Sequence, residues 1–213
     1  MGKKFDTTAY KRMLETKKIG HGLLYLKTID STNDYAQKLF KQGCSSALIL
    51  AERQTRGRGR FGSEWISPAG GLWFTLLVEY GIEPKDLPKV TILAAYAVTK
   101  SLKRLFGIES SIKWPNDIYY GRKKLGGILT EAYRKGQRNI LSLGIGLNVN
   151  LGLKELGPYS GSSTTIKEIL KMDISREKLL ASIVLDLEAV LGRFESEKDF
   201  AYFFKRIEKI LIY

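Results

Sequence analysis

From Arg53 to Gly71 the chain holds no apolar run. It is built instead on Arg53, Arg56, Arg58 and Arg60 interleaved with Gly57, Gly59 and Gly62. Such a stretch predicts a long loop. Its centre, Gly57-Arg58-Gly59-Arg60-Phe61-Gly62, matches the spacing G-x-G-x-x-G, and that turn binds a dinucleotide only when it opens a helix whose N-terminus meets the pyrophosphate. Here Pro68, Gly70 and Gly71 follow within nine residues and bar that helix. A Rossmann-type reading is excluded, and no G-x-x-x-x-G-K-[ST] loop occurs elsewhere. What remains is glycine backbone that can fold closely round a ligand, carrying permanently charged forks suited to carboxylate and phosphate oxygens. A solvated basic loop or a nucleic-acid contact is the alternative; the glycine interleaving favours wrapping a small anion.

The residue inventory removes other chemistries. The 213 residues include one histidine, His21, and one cysteine, Cys44. A His/Cys metal site cannot be assembled from these, and a Ser-His-Asp or Cys-His site would have to be built around His21 in its Gly-His-Gly segment. A carboxylate-held Mg²⁺ sharing substrate phosphates stays open. No apolar stretch approaches a membrane span, and the basic N-terminus lacks the apolar core of a secretory signal. With one cysteine there is no intrachain disulfide, and the cytoplasm is expected. The formal charge of +13 fits either a basic solvated surface or an anionic partner.

Periodicity predicts strands over Leu23–Lys27, Ala47–Ala51, Leu72–Val78, Ile112–Tyr120, Lys124–Tyr133 and Ile140–Val149. It predicts helices from Ser31 to Gly43 and over Val90–Phe106, Glu177–Phe194 and Asp199–Ile210. Residues 151–163, rich in glycine, read as a surface loop. Adjacent strands mixed with helices predict an α+β chain with a mixed sheet.

A second constellation begins at Lys113-Trp114-Pro115-Asn116-Asp117, where Pro115 holds Trp114 extended and two short polar side chains follow. Across a turn, Lys124 precedes Leu125-Gly126-Gly127, a lysine beside backbone that a ligand can approach closely.

These motifs resemble the biotin protein ligase family. The resemblance is carried by Ser31-Thr32-Asn33, Gln54-Thr55-Arg56-Gly57-Arg58-Gly59-Arg60, Gly70-Gly71-Leu72-Trp73, Lys113 to Asp117, Lys124 to Gly127 and Gly144-Ile145-Gly146-Leu147-Asn148-Val149-Asn150. They stand in the family's order over residues 23–210. The resemblance implies a catalytic domain like that of class II aminoacyl-tRNA synthetases, a mixed sheet backed by helices, spanning residues 1–213. It implies that biotin and ATP, with Mg²⁺, form biotinyl-5′-AMP, and that biotin then passes to a lysine of a carboxyl carrier protein. Ser31, Thr32, Asn33 and Gln54 would hold biotin's polar ring, with Gly57, Gly59, Gly71, Leu72 and Trp73 forming the rest of its pocket. Arg58, Arg60 and Lys124 would hold the carboxylate and α-phosphate. Trp65 would lie near adenine, with Lys113, Asn116 and Asn148 on the nucleotide side. The family also implies a homodimer and usually a C-terminal SH3-like barrel, which is not expected within this sequence; nor is the DNA-binding domain of the repressor-type members.

The residues suit that chemistry on their own terms. A carboxylate must approach a triphosphate that repels it, and fixed Arg and Lys charges offset the repulsion. The mixed anhydride is itself the activated intermediate, so no protein nucleophile is needed. Asp117, the only carboxylate inside these motifs, is the candidate to orient or deprotonate the incoming amine. The competing functions are a lipoate or octanoate ligase of similar fold, which needs no polar site for a ureido ring, and a nucleic-acid-binding module, which predicts steep salt dependence.

Overall fold

In the computed structural model, which describes residues 4–81 and 83–213, eight strands form one sheet. They are β1 (Leu23–Ile29), β2 (Ala47–Gln54), β3 (Leu72–Glu79), β4 (Ser111–Lys113), β5 (Asp117–Tyr120), β6 (Lys123–Lys135), β7 (Arg138–Leu147) and β8 (Leu211–Ile212). Their order across the sheet is β1-β2-β3-β7-β6-β5-β4-β8. The β1–β2 and β4–β8 pairs are parallel and the others antiparallel. This is the expected mixed sheet.

The central strands are buried on both faces, which is why β2 and β3 read as near-continuous apolar runs. Even-numbered residues of β3 (Leu72, Phe74, Leu76, Val78) enter the main core. That core is closed by α3 (Leu87–Phe106) and α5 (Arg176–Glu197), with α1 (Thr7–Met13) packed on α5 and α6 (Phe200–Ile207) beside α3. The α3 stripe of Leu93, Ala94, Ala97, Val98 and Leu102 is fully buried. Gly107 stops the helix with φ +66, its N–H donating to Lys103 O at 2.9 Å.

Odd-numbered residues face the other side. There α2 (Thr32–Lys41) lays Ala36 against Ala47, Ile49, Leu77 and Ile140. This helix covers only part of the sheet, and the uncovered part carries the site. Between β7 and α5 lie a 3₁₀ segment, Leu153–Tyr159, and the short α4 (Ile166–Leu170).

Three expectations change. The strand over Ile112–Tyr120 is two strands, because Pro115 has no N–H to extend the ladder and the chain turns at residues 114–116, with Trp114–Pro115 cis. α3 begins at Leu87, with Pro88 in its first turn, rather than at Val90. The last helix ends at Ile207, and residues 211–212 return to the sheet beside β4. Among the described residues no helix is long and apolar enough to cross a membrane.

Two ionic clusters fasten the outer layers. Arg176, at the start of α5, donates to both oxygens of Glu52 on β2 (2.8 and 3.1 Å) and to Gly71 O (3.0 Å). Both side chains are nearly buried. Glu188 accepts from the backbone N–H groups of Lys17, Lys18 and Ile19 at 2.8, 2.6 and 3.1 Å, binding the N-terminal segment to α5.

Candidate active site

A cavity of about 660 Å³ opens on the sheet face left bare by α2. That volume suits a cofactor-sized ligand. The N-terminus of α2, residues 58–66 of the loop, strands β5 to β7 and the 156–163 segment form its walls.

One end is polar and pre-bonded. Ser31 caps α2, its Oγ accepting from Asp34 N at 3.4 Å. Gln54 Oε1 accepts from both Thr32 N (2.8 Å) and Thr32 Oγ1 (3.0 Å), while its Nε2 donates to Ser67 Oγ at 2.8 Å. The Thr75 hydroxyl lies 2.9 Å from Thr32 Oγ1 and 3.0 Å from Asn33 Oδ1. Asn33 Nδ2 in turn donates to Glu131 Oε2 at 3.2 Å. The chain of bonds fixes each amide's orientation, and it runs from the loop end at Ser67 across to β6.

The loop is more ordered than its composition suggests. Trp65 N donates to Gly57 O (2.9 Å) and Gly59 N to Ser63 O (2.7 Å), a small hairpin with Arg58 opposite Glu64. Trp65 then folds flat onto the sheet. This needs glycine beneath it: a Cβ on Gly146 would stand 2.6 Å from Trp65 Nε1, and one on Gly127 3.3 Å from the ring. Lys124 Nζ sits 5.0 Å from the same ring.

At the other end the charges meet. Lys124 Nζ is 2.8 Å from Asp117 Oδ2. Asn116 Nδ2 donates to Asp117 Oδ1 (3.1 Å), and Arg60 donates to Asn116 Oδ1 (3.0 Å). Backbone bonds clamp Lys124 to the far wall, its N–H donating to Ser162 O (3.0 Å) and its C=O accepting from Thr164 N (2.9 Å). Asn148 Nδ2 donates to Thr164 O (3.0 Å), so Asn148 braces that wall while lining the cavity. The arrangement presents a hydrogen-bonding cradle joined by a continuous trough to a cluster of Arg60, Lys124, Asn116 and Asp117. It can hold an acid's body at one end and its carboxylate against a phosphate at the other.

Comparison with known proteins agrees with this geometry. A family model, the biotin/lipoate A/B protein ligase family, matches residues 25–150. The chain belongs to this family. Over 140 residues it is 39% identical to the bifunctional ligase/repressor BirA of Bacillus spizizenii, a match covering 64% of this chain and 43% of that protein. It is 29% identical over 216 residues to BirA of Escherichia coli, covering 98% of this chain and 67% of the relative. The chain thus spans less than half the length of the first relative. Its fold superposes on the biotin protein ligase from Aquifex aeolicus in complex with biotin and ATP with a TM-score of 0.77 and 33% identity, covering 91% of this chain and 80% of that one.

Of the residues the family resemblance picks out, Ser31, Thr32, Asn33, Gln54, Arg58, Gly59, Arg60, Trp65, Asn116, Asp117, Lys124 and Asn148 line one cavity. Gly57, Gly71, Leu72, Trp73 and Lys113 do not. Leu72 points into the main core, and Trp73 is buried beside Leu151 and Leu156 with its Nε1–H donating to Pro68 O at 2.8 Å. Both support the wall from behind. Gly71 is where Trp73 folds back, since a Cβ there would fall 1.9 Å from that ring. Gly57 is pressed against Trp65 O in the same way. Lys113 is exposed, with Nζ 5.7 Å from the ring of Tyr119, which does line the cavity.

Sequence reasoning missed Thr75, Ser67, Glu131 and the 156–163 wall. The 151–163 stretch is no mere surface loop: Leu151 and Leu156 are buried, and Tyr159, Ser162 and Ser163 line the cavity. Glu131 lay in plain strand pattern. Counting by twos from Gly127 through Leu129 to Glu131 would have put it on the cavity's side of β6.

Proposed function

We propose that this chain carries the catalytic core of an ATP-dependent biotin–protein ligase. The observation that carries the reading is the trough joining the Thr32–Gln54 cradle to the Arg60–Lys124–Asp117 cluster. In the first step a carboxylate oxygen of biotin attacks the α-phosphorus of ATP. The bond from that phosphorus to the bridging oxygen breaks, and pyrophosphate leaves with the electron pair. Ser31, Thr32, Asn33 and Gln54 orient biotin's ureido ring by hydrogen bonds. Lys124 and Arg60 hold the carboxylate against the α-phosphate and stabilise the charge that builds on the phosphoryl oxygens. Trp65 offers its face to the adenine, with Asn116, Asn148 and the 156–163 wall around the nucleotide.

In the second step a carrier lysine amine attacks the acyl carbon, the acyl–oxygen bond to phosphate breaks, and AMP leaves. The amine must shed a proton, and Asp117 stands beside Lys124 to orient it or accept that proton. The Lys124 pairing with Asp117 is then exchanged for pairing with phosphate as ATP binds.

Among the described residues no group of three or more His, Cys, Asp or Glu side chains gathers to hold a metal. The charged groups at the phosphate end are mostly cations, and such a set does not cage a bare Mg²⁺. The ion fits this site only as the partner of the nucleotide's own phosphates. The proposal includes a biotin carboxyl carrier protein as partner, with homodimer formation and cytoplasmic residence as the resemblance implies.

Incubation of the chain with biotin, ATP, Mg²⁺ and an isolated carrier domain, read by intact mass, tests the reading. The carrier should gain one biotinyl group on lysine. Modification only when lipoate or octanoate replaces biotin, or none with any of the three acids, would overturn it.

A further inference from the structure

Arg58 leaves the loop sideways. Its Nε lies 2.7 Å from Asp34 Oδ1 in the first turn of α2, and its Nη2 lies 3.1 and 3.4 Å from the two carboxylate oxygens of Glu131 on β6. One guanidinium therefore ties the loop to a helix and a strand at once. Glu131 is held in turn: Asn33 Nδ2 donates to its Oε2 at 3.2 Å and the Tyr133 hydroxyl at 3.1 Å. It does not itself line the cavity, whereas Arg58 does. The loop's own backbone bonds, Trp65 N to Gly57 O and Gly59 N to Ser63 O, are internal; outside Arg58 it meets the sheet through Arg60, which donates to Asn116 Oδ1 at 3.0 Å, and through the Trp65 ring over Gly146. At the tip, Phe61 has φ +56 and is 96% exposed, so it adds no apolar anchor.

We propose that Glu131 is a positioning residue of the site: with Asp34 it clasps Arg58, and the clasp sets how long the arginine–glycine loop stays folded over the cavity and so how slowly a bound acid escapes. Arg60, bonded to Asn116 at the phosphate end, is the arginine left to meet the nucleotide, while Arg58 serves the loop. The pair is half-buried and ionic, so its strength lies between that of a surface pair and a core pair, and the two side chains must act as one unit. The choice of biotin as probe rests on the ligase reading; the loop's behaviour does not.

The test compares the wild-type chain with Glu131→Gln, Arg58→Met, the double variant and Tyr133→Phe. Hydrogen exchange is read at the amides of residues 57–65 without ligand, and the dissociation rate is read with biotin. Glu131→Gln keeps an acceptor for Asn33 and Tyr133 but removes the charge. It should speed loop exchange and biotin release by roughly three- to tenfold, a range typical of directly contacting charged pairs. It should raise the KM for biotin while leaving kcat within a factor of about two. The double variant should be no worse than Arg58→Met, and Tyr133→Phe should stay near wild type. Additive effects of the two single variants, unchanged loop exchange in Glu131→Gln, or equal loss of protection in α3 and α5 would each overturn the assignment. Failure of the wild-type chain to bind biotin would overturn the ligase reading, while loop exchange would still decide the role of Glu131.

Discussion

Lys124 Nζ and Asp117 Oδ2 stand 2.8 Å apart across the β5–β6 hairpin, with Nζ also 5.0 Å from the Trp65 ring. The ammonium that the proposed reaction sets against phosphate is thus paired with a carboxylate in the folded chain. Both side chains line the cavity, and in the proposed reaction this pair is exchanged for one with phosphate.

Lys124→Ala should therefore lower the rate of adenylate formation by roughly 10²–10³, the usual loss for one contact made to developing charge. Biotin binding without ATP should change far less. Biotin-dependent pyrophosphate exchange beside a biotin titration checks both. A wild-type exchange rate would remove Lys124 from the chemistry.

Gly146→Ala should disturb Trp65, since the new Cβ would lie 2.6 Å from its Nε1. Overpacking of this kind costs about 1–3 kcal/mol. A lower melting temperature and altered tryptophan emission are expected, with weaker ATP binding. Gly22→Ala, away from the cavity, meets no atom closer than 3.9 Å and should leave all three unchanged.

Arg176→Met should be among the more damaging single substitutions outside the cavity. It leaves Glu52 buried without its partner and frees Gly71 O. Breaking a buried pair this way costs roughly 3–5 kcal/mol. Joining it with Glu52→Gln should recover part of the loss in urea melts; a double variant worse than Arg176→Met alone would argue against the pairing.

Acid should unfold the chain through two carboxylates. Burial alone would raise Glu52, but hydrogen bonds and charge from Arg176, with a hydrogen bond from Tyr25, hold it below the usual 4.5. Burial of Glu188 is likewise outweighed by the N–H groups of Lys17, Lys18 and Ile19. A carboxyl lowered on folding stabilises the native state above its unfolded value, and that stability is lost as pH falls through the folded value. Melting temperature should therefore hold at neutral pH and drop as pH falls below about 4.5, the ordinary value for such groups. In Glu188→Gln the drop should be shallower. An unchanged acid slope in that variant would show that Glu188 does not contribute to it.

Much of this was legible because glycine and proline act locally. Gly107 ends its helix, Gly121 turns its hairpin, and Pro68 forbids a helix after the arginine–glycine loop, whatever surrounds them. The faces of β3 were not legible. Both sides are buried, so nothing in Leu72-Trp73-Phe74 shows that Trp73 lies behind the cavity wall instead of lining it. α1 was invisible for a related reason. Only Tyr10 in it is buried, and the segment is held there by Phe5 and Ile19 in the main core together with Glu177, accepting from Asp6 N, and Glu188, each about 170 residues away. The strand period puts Glu131 on the cavity's side of β6, but its pairing was not legible, because only the folded loop brings Arg58 beside it.

That tether of residues 6 and 17–19 to Glu177 and Glu188 also sets an order of events. During synthesis the first helix emerges long before α5 exists, and its few apolar contacts cannot hold it alone. β4 waits in the same way for β8, since Ile112 pairs with Leu211. The N-terminal helix and the β4 margin of the sheet are therefore completed late, by partners far along the chain, and such non-local closure slows folding. Until α5 docks, the core face of β2 and β3 lacks one of the two helices that close it, and that interval is when a chaperone would have something to bind.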